Sequence, residues 1–394
     1  MIHTTDAPTA LLDAPATGGR ELPDLLRPVI TEHASQADRD RRLPAALVDP
    51  LRSAGAFRLT TPAAYRGFEL SLVDLVEVYE AFGAIDASVA WNVWNGSCGF
   101  SAALLDPLGA DEIWGHADPI VANSARPAGQ ARIDGDELVL SGRWDIVSAI
   151  DVADWAVLFG MVLDGDAPAM VSGHPDVRAF FLRRDQIEVL DTWHTTGMRG
   201  TGSNTVVVDA ARVPSYLAVD PFAPPRLDAP RYRIPAFTMA SIGAAPIVIG
   251  IAQATIDEVV AMATTKGTDN GQVLALRPHA HSQLAAAQTA LDAARLLLVD
   301  AARRIDEAAE ADEPVTELLR SRLRAAMSHA AKTVRDVLGT CQGLASSTAI
   351  YTDNPIEQLL RDGSTATQHM ILAETHLDIY GRLLVGQPAG TPLV

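Results

Sequence analysis

The stretch of sequence that decides the fold is Asp191–Ser203, which reads Asp-Thr-Trp-His-Thr-Thr-Gly-Met-Arg-Gly-Thr-Gly-Ser. A loop this rich in glycine and threonine either forms a tight β-turn or brings backbone N–H groups close to a ligand. It does not place a GxGxxG pattern between a strand and a helix, and it contains no P-loop, so neither kind of phosphate site is predicted.

The region around this loop, from about residue 120 to 219, is predicted to be a β-domain. Gln130–Ile133 and Glu137–Trp144 flank an Asp-Gly-Asp turn at 134–136, which is typical of a β-hairpin. Further strands are predicted at Trp155–Gly160, Arg178–Leu182 and Thr205–Ala210. Strands at this spacing favour a small β-sandwich or β-barrel.

The segments before and after the β-domain are predicted to be helical. Leu43, Leu47 and Leu51 recur at helical spacing, Ser71 is a candidate N-cap, and Ala87–Leu105 is predicted to be one mostly apolar helix. Beyond about residue 235 the helical period returns, with small residues that allow close packing in an antiparallel four-helix bundle. The positions that keep this period are Leu284, Ala287, Leu291, Ala294, Leu298, Ala301 and Ile305.

These three regions predict a mainly α protein with a central β-domain. We place a disordered lead-in at 1–20, an N-terminal helical domain at 21–118, the β-domain at 119–225 and the C-terminal bundle at 226–394.

Composition limits the classes of function. The 394 residues carry 49 acidic and 31 basic side chains, a net charge of −18, so binding to nucleic acid or to an anionic membrane is not expected. No run approaches the roughly 18 apolar residues of a membrane span. The two cysteines, Cys98 and Cys341, are far apart, and no metal-binding pattern is visible. This cysteine usage favours a cytoplasmic location.

The segment Leu360–Met370 is dense in hydrogen-bonding groups within an apolar helical region. Buried polar groups need partners, and a ligand with many heteroatoms would supply them. The alternative is a helix N-terminus capped by Asp362 and Ser364, with His369 hydrogen-bonded to a neighbouring carbonyl. The local sequence leaves both interpretations open.

The helical, β and helical order resembles the acyl-CoA dehydrogenase superfamily over nearly the whole chain, from about residue 22. The resemblance is carried by Asp134–Ser148, Asp191–Ser203 and Arg361-Asp362. It implies a flavin between the β-domain and the C-terminal bundle, and a homotetramer. Dehydrogenases of this superfamily remove a proton with a glutamate after the Arg-Asp pair, whereas this sequence reads Thr-Gln-His-Met at 367–370. That stretch resembles the flavin-dependent monooxygenase branch, whose members receive reduced flavin from a separate reductase.

The resemblance also implies a set of site residues. His369 and Ser148 would flank the flavin, although Ser148-Ala149 stands where Ser-Gly is expected. Asn95 stands where many phenol-hydroxylating relatives carry a second histidine; it can donate a hydrogen bond but cannot act as a base. The expected flavin contacts are Asn123, Ser124, Trp144, Ser148, Arg361, Thr365 and Gln368. The expected substrate pocket consists of Trp91, Trp94, Asn95 and Met239, and simple core packing is the alternative role for the two tryptophans.

The expected function is therefore the oxygenase component of a two-component flavin-dependent monooxygenase. It would hydroxylate or N-oxidise a small aromatic or natural-product substrate, using reduced FMN or FAD and O2 through a flavin C4a-(hydro)peroxide. Such chemistry needs hydrogen bonding and exclusion of water, which an imidazole in a closed site helps to provide. The alternatives are an acyl-CoA dehydrogenase with an atypical base and a non-catalytic flavin- or ligand-binding protein of the same fold.

Overall fold

The structure is a computed structural model in which we describe residues 18–267 and 273–391. Most of the predicted lead-in lies outside these ranges. The N-terminal helices are α1 Leu22–Asp40, α2 Ala45–Ser53, α3 Leu72–Gly83, α4 Ala87–Asn95 and the short α5 Pro107–Ala110. The predicted cap is confirmed, because the Ser71 hydroxyl accepts a hydrogen bond from the Asp74 N–H at 3.0 Å at the start of α3.

The single helix predicted over Ala87–Leu105 is wrong, because α4 ends at Asn95. Gly96 follows, and a Cβ atom at this position would lie 2.8 Å from the Phe57 ring and 2.9 Å from the Asn92 carbonyl. Only glycine fits this crowded point, and beyond it the chain forms a 3₁₀ turn at Gly99–Ala103. The Gly96 carbonyl accepts a hydrogen bond from the Val121 N–H at 3.0 Å, so the chain leaves the helix here to pair with a strand although the apolar pattern continues.

The strands of the central domain are β1 Val121–Asp134, β2 Glu137–Val147, β3 Trp155–Asp164, β4 Ala167–Pro168, β5 Met170–Val171, β6 His174–Pro175, β7 Val177–Arg183, β8 Glu188–Leu190, β9 Asn204–Pro214 and β10 Ala218–Val219. The main sheet is mixed and has the strand order β10-β7-β3-β1-β2-β9-β8, and β4 pairs with β3 outside this path. Strands β5 and β6 form a separate two-stranded sheet. All five predicted strands are confirmed within the main sheet, the first of them as part of β1. Among the strands of the described residues, β1 and β3 are the one pair that runs parallel.

The C-terminal region contains α6 Ala236–Ser241, α7 Ala244–Ala263, α8 Pro278–Glu310, α9 Glu317–Ala345, α10 Pro355–Ala366 and α11 Thr375–Leu384. The predicted period is confirmed in α8, where six of the seven positions are buried and Leu284 is half-buried. The helical segment Ala236–Ala263 is long and apolar enough to span a membrane, which the sequence analysis did not anticipate, but 83% of its most apolar window is buried inside the protein. It is the central helix of the bundle.

The two helical regions share one core. A Cβ atom on Gly83 of α3 would lie 2.5 Å from the Ile247 carbonyl, and one on Gly250 of α7 would lie 2.1 Å from the Glu80 carbonyl. The Asp306 carboxylate of α8 also accepts hydrogen bonds, both 3.0 Å long, from the first two backbone N–H groups of α3. Asp306 thus adds to the Ser71 cap of α3, and the two glycines let α3 pack directly against α7.

Candidate active site

His369 lies in the connection between α10 and α11 and faces two tryptophans of α4. Its ring centroid is 5.4 Å from that of Trp91 and 5.6 Å from that of Trp94, and all three rings meet edge to face. Both tryptophans are buried, with 6% and 7% of their surface exposed. They are core residues and, at the same time, neighbours of the predicted catalytic histidine.

The imidazole of His369 is held in one neutral tautomer. The Ile371 N–H donates to Nδ1 at 3.4 Å, so the ring proton of the neutral form sits on Nε2. Nε2 has no hydrogen-bond partner within the described residues. The surrounding protein removes most of the water from around the ring, and the positive charge of Arg324 also disfavours a second proton. Together these effects lower the pKa of His369 to about 4. At neutral pH the ring therefore offers a hydrogen-bond donor and carries no charge.

Ser148 lies at the end of β2 in a directed chain of hydroxyl groups. The Thr201 hydroxyl donates to the Met198 carbonyl at 2.8 Å, so the Ser203 hydroxyl must donate to Thr201 at 2.7 Å, and Ser148 to Ser203 at 2.8 Å. The Trp91 indole N–H in turn donates to Ser148 at 3.2 Å. Ser148 has committed its only hydrogen, and its remaining lone pair can accept one further hydrogen bond.

The backbone on both sides of Ser148 is strained. Ile146 has a φ of 63° and Ala149 a φ of 64°, in the left-handed region that side chains with a Cβ rarely adopt. Ile146 is β-branched and also 63% exposed. Strain of this kind concentrates at functional positions. It also explains why glycine would suit the position of Ala149.

The side-chain amides of Asn95 and Asn123 connect α4 with β1 next to this cluster. The Asn95 side chain donates to the Trp91 carbonyl at 3.0 Å, and the Asn95 carbonyl accepts from the Asn123 amide at 3.1 Å. Asn95 therefore ties α4 to β1, and its Nδ2 is partly used within its own helix. Ser124 is half-buried next to Asn123 in β1. Met239, in α6, lines a separate cavity described below.

The other predicted flavin contacts each have a hydrogen-bond partner within the described residues. Trp144 is fully buried inside the sheet, where its N–H is shared between the Arg126 and Phe159 carbonyls. Thr365 donates to the Arg361 carbonyl at 2.8 Å, and the exposed Gln368 amide lies 3.4 Å from the Ser364 carbonyl.

Arg361 joins the domains instead. Its guanidinium donates to Asp38 of α1 at 2.8 Å, to the Thr196 carbonyl at 3.1 Å and to Glu357 at 3.1 Å. Three elements thus meet at one side chain, and these contacts occupy Nη1 and Nε.

The glycine-rich loop 191–203 also packs against α10 and so helps to connect the β-domain with the C-terminal bundle. A Cβ atom at Gly197 would lie 2.1 Å from the Arg361 carbonyl, so glycine is needed for the loop to lie against α10. The Met198 N–H donates to Asp362 at 2.6 Å, and burial raises the pKa of this carboxyl to about 7. Asp362 and Ser364 lie inside α10, whose N-cap is Asn354, so the interpretation of them as helix caps is wrong.

Sequence reasoning missed one residue of this region, Arg324 of α9. It is 6% exposed, and its guanidinium makes one hydrogen bond, from Nη2 to the Phe237 carbonyl at 3.2 Å. Within residues 18–267 and 273–391 no carboxylate lies within 4 Å of it, and burial lowers the pKa of Arg324 to about 10. The signal was present in the helical period, since Leu323 and Met327 place position 324 on the inward side of α9.

A cavity of about 340 Å³ opens beside α6. Its wall is largely aromatic and apolar, with Phe100, Phe222, Tyr232, Phe237 and Met239 among the lining residues. A volume of this size suits a small organic molecule.

The residues around His369 fit a flavin. Uncharged groups meet at the junction of α4, the end of β2 and the α10–α11 connection: a hydroxyl acceptor at Ser148, an Nε2–H donor at His369 and two aromatic rings. A flavin ring presents N–H, carbonyl and aromatic surfaces, and this donor and acceptor set complements them.

Comparison with known proteins agrees with this architecture. The family model described as "Acyl-CoA dehydrogenase, N-terminal domain" matches residues 20–113, and "Acyl-CoA dehydrogenase, C-terminal domain" matches residues 242–374. Among curated relatives, the chain is 29% identical to the indole-3-acetate monooxygenase of Pseudomonas putida, over 89% of both chains. It is 28% identical to the flavin-dependent monooxygenase oxygenase subunit HsaA of Rhodococcus jostii, over 88% of this chain and 92% of that protein.

Solved structures give the same result. XiaF from Streptomyces, in complex with FADH2 and glycerol, matches with a TM-score of 0.87 and 26% identity, over 95% of this chain and 98% of its own. The 3-HSA hydroxylase from Rhodococcus sp. RHA1 matches with a TM-score of 0.88 and 25% identity, over 97% of this chain and 100% of its own. The predicted fold class is thereby confirmed. The chain belongs to the acyl-CoA dehydrogenase superfamily, within its flavin-dependent monooxygenase branch.

Proposed function

We propose that this protein is the oxygenase component of a two-component flavin-dependent monooxygenase, which takes reduced flavin from a separate reductase. The observation that carries the proposal is the neutral His369, placed against Trp91 and Trp94 with the Ser148 hydroxyl chain beside Trp91. Bound reduced flavin, FMN or FAD, would supply the reaction with O2 that yields the transferred oxygen atom. The residues described above supply the surroundings.

His369 acts as a hydrogen-bond donor in this proposal. Its Nδ1 is engaged by the Ile371 N–H, so Nε2 carries the proton and cannot also accept one. Its low pKa keeps it neutral, so it stabilises a polar oxygen in the site without adding a charge. Trp91 and Trp94 exclude water around it, which limits wasteful release of hydrogen peroxide.

Ser148 acts as a hydrogen-bond acceptor. Its hydrogen is committed to Ser203, and its free lone pair suits an N–H group, such as the one at N5 of reduced flavin. We propose that Ser148 favours reduced over oxidised flavin for this reason. Asn95 holds Trp91 through the backbone of α4 and is a positioning residue.

The geometry disfavours the acyl-CoA dehydrogenase alternative. Glu374 is the nearest glutamate in sequence to the position of a dehydrogenase base, yet its side chain is 66% exposed and pairs with Arg335 at 3.3 Å. A carboxylate held in this way faces solvent and not the His369 cluster. The proton-abstracting group that a dehydrogenase needs is therefore not supplied by this segment.

The test supplies chemically reduced FMN or FAD and ¹⁸O2 to the purified chain, with a panel of aromatic substrates. We expect one ¹⁸O atom in the product, at a yield above that of controls with flavin and hydrogen peroxide alone. Anaerobic reduction of bound flavin by an acyl-CoA would support the dehydrogenase alternative. Flavin binding with conversion of all O2 to hydrogen peroxide would support the non-catalytic alternative.

The substrate and the assembly belong to the same proposal. The names of relatives range from indole-3-acetate monooxygenase to resorcinol hydroxylase, and solved neighbours include dibenzothiophene and methanesulfinate monooxygenases, so these names do not select a substrate. We propose a cytoplasmic homotetramer. Ile350, Tyr351, Met370, Leu384 and Val385 are each at least 62% exposed and offer apolar surface for contacts between subunits. Light scattering coupled to gel filtration measures the assembly.

A further inference from the structure

We propose that the substrate is an aromatic carboxylic acid, and that Arg324 binds its carboxylate, with Arg320 one helical turn away guiding it in. The inference rests on the proposed function and adds the substrate class and its recognition residue.

Arg324 is a buried charge without a counter-charge. Its guanidinium is bonded to a single backbone carbonyl, that of Phe237, and no acid within the described residues offsets its charge. Buried arginines in folded proteins are normally paired, because an unpaired charge in a protein interior is costly. The planar guanidinium matches a carboxylate through two parallel hydrogen bonds. A substrate carboxylate is the partner that this site lacks.

Arg320 extends the same face of α9 by one turn towards the cavity. It lines the 340 Å³ cavity, its Nη1 donates to the Val315 carbonyl at 3.1 Å, and its buried Nε has no hydrogen-bond partner. The two other arginines of the lining are neutralised, Arg231 by Asp306 at 2.5 Å and Arg233 by Asp312 at 3.2 Å. Arg320 is therefore the lining arginine that forms no salt bridge within the described residues, although the exposed Glu317, three positions earlier in α9, also acts on its charge.

The cavity lining contains arginine but no aspartate or glutamate among the described residues. This contrast matters because the whole chain carries a net charge of −18. A positively charged cavity entrance on an acidic protein attracts small anions, and no carboxylate among its described lining residues repels them. The aromatic side chains of the wall, Phe100, Phe222 and Phe237, suit a flat ring on the same molecule.

Helix α6 links this recognition site to the proposed reaction site. Phe237, at its start, accepts the Arg324 hydrogen bond, and Ala240, near its end, accepts the Trp94 indole N–H at 2.9 Å. Trp94 is in edge contact with His369, and the charge of Arg324 acts on that imidazole. A carboxylate bound to Arg324 would thus lie beside the same short helix that supports Trp94, which in turn contacts His369.

The experiment compares two probes of equal shape, indole-3-acetate and its uncharged amide, indole-3-acetamide, by calorimetric titration of the full chain. We expect the wild type to prefer the acid by about 10- to 100-fold, the range of a charge-assisted hydrogen-bonded pair. Arg324→Met should remove this preference and leave amide binding within about twofold. Arg324→Lys should keep part of it, because the charge stays but the paired geometry is lost.

Two controls separate binding from folding. Arg322→Met lies two residues away on the same helix, where Arg322 pairs with Asp300 at 2.9 Å, and it should leave the preference unchanged. The melting temperature of Arg324→Met should equal or exceed that of the wild type, because an unpaired buried charge is replaced by an apolar chain of similar size. A purely structural arginine would instead show a lower melting temperature and equal losses for both probes.

Three outcomes would overturn the inference. The wild type could bind the acid and the amide equally, it could bind neither of them, or Arg324→Met could weaken the binding of both equally. The ¹⁸O measurement distinguishes this from failure of the proposed function. Oxygen transfer to neutral aromatics without any acid preference would leave the proposed function standing and remove the substrate class. An acid preference without oxygen transfer would do the reverse.

Discussion

The indole N–H of Trp91 donates a hydrogen bond to the hydroxyl of Ser148 at 3.2 Å, which joins an N-terminal helix to the end of a strand in the central sheet. The hydroxyl chain that continues through Ser203 and Thr201 ends on the Met198 carbonyl, and this carbonyl fixes which way every hydrogen in the chain points. The site therefore holds a defined acceptor before any ligand binds.

Removing the Ser203 hydroxyl should weaken the preference for reduced flavin. In Ser203→Ala the hydrogen of Ser148 is released and can turn towards a ligand, so oxidised flavin gains a donor. We expect the ratio of Kd values for oxidised and reduced FMN to fall by about fivefold, the worth of one hydrogen bond. Anaerobic titration followed by flavin fluorescence measures it. Ser241→Ala, an equally buried serine in α6, should leave the ratio unchanged, and an unchanged ratio in Ser203→Ala would contradict the assignment.

Replacing His369 should uncouple O2 consumption from product formation. Because its pKa is about 4, the wild-type yield of product per O2 should be flat from pH 6 to 8 and should fall only as the pH drops below about 5. His369→Ala should lower the product-forming rate by about 100-fold and release hydrogen peroxide instead. The exposed His329→Ala is the control. A yield that titrates near pH 6.5 in the wild type would show that the imidazole is not kept neutral.

Asp362 should make folding less favourable as the pH rises. Its pKa is raised from 3.8 to about 7, so the folded state holds the proton longer than the unfolded state, and stability is lost as the pH rises through this window. Asp362→Asn keeps an oxygen for the Met198 N–H and removes the charge. We expect the variant to lose this pH dependence, a change of up to about 1.4 kcal/mol per pH unit. Urea unfolding from pH 4 to 8 tests it, with the exposed Asp336→Asn as control.

Ala149→Gly should stabilise the protein. The φ of 64° at Ala149 costs an L-residue about 1 kcal/mol, which glycine avoids, and we expect a gain of about that size in the free energy of unfolding. Ala153→Gly is the matched control, since this buried alanine in the same connection has no positive φ and its replacement should be destabilising. A loss of stability in Ala149→Gly would mean that the buried methyl group outweighs the strain.

Gly197→Ala should separate the β-domain from the bundle. The new methyl group would lie 2.1 Å from the Arg361 carbonyl and 2.7 Å from the Thr365 hydroxyl, so the loop must move away from α10. We expect a loss of about 2–4 kcal/mol in the free energy of unfolding. Gly339→Ala, in open space on α9, should be neutral or slightly stabilising. Equal behaviour of the two variants would show that the loop tolerates displacement.

The fold could be predicted because its signals are local and repeated. Alternating strands around the Asp134–Asp136 turn and the apolar period of α8 each follow from backbone geometry, and both are present in the structure. The end of α4 at Asn95 could not be predicted, because the next two residues pair with Val121 of β1 and Gly96 packs against Phe57, and both partners are distant in sequence.

The candidate site could be predicted only in part. His369 and Ser148 were identified by resemblance, and both lie against Trp91. Trp144 matches the same motif, yet the sheet encloses it, which no local pattern indicates. Arg324 was missed because an arginine in a helix is ordinarily a surface residue, and only its position in the helical period marks it as buried.

The contact between Asp306 and the start of α3 affects when the N-terminal helices can fold during synthesis of the chain. Leu72 and Asp306 are 234 positions apart, so α7 and nearly all of α8 must be synthesised before α3 gains this contact in addition to its Ser71 cap. Until then the first turn of α3, and the side of α3 that carries Gly83, remain open to water and to chaperones. A fragment ending before residue 306 should not yield an isolated N-terminal domain, and fusion partners are better attached at the termini than between the apparent domains.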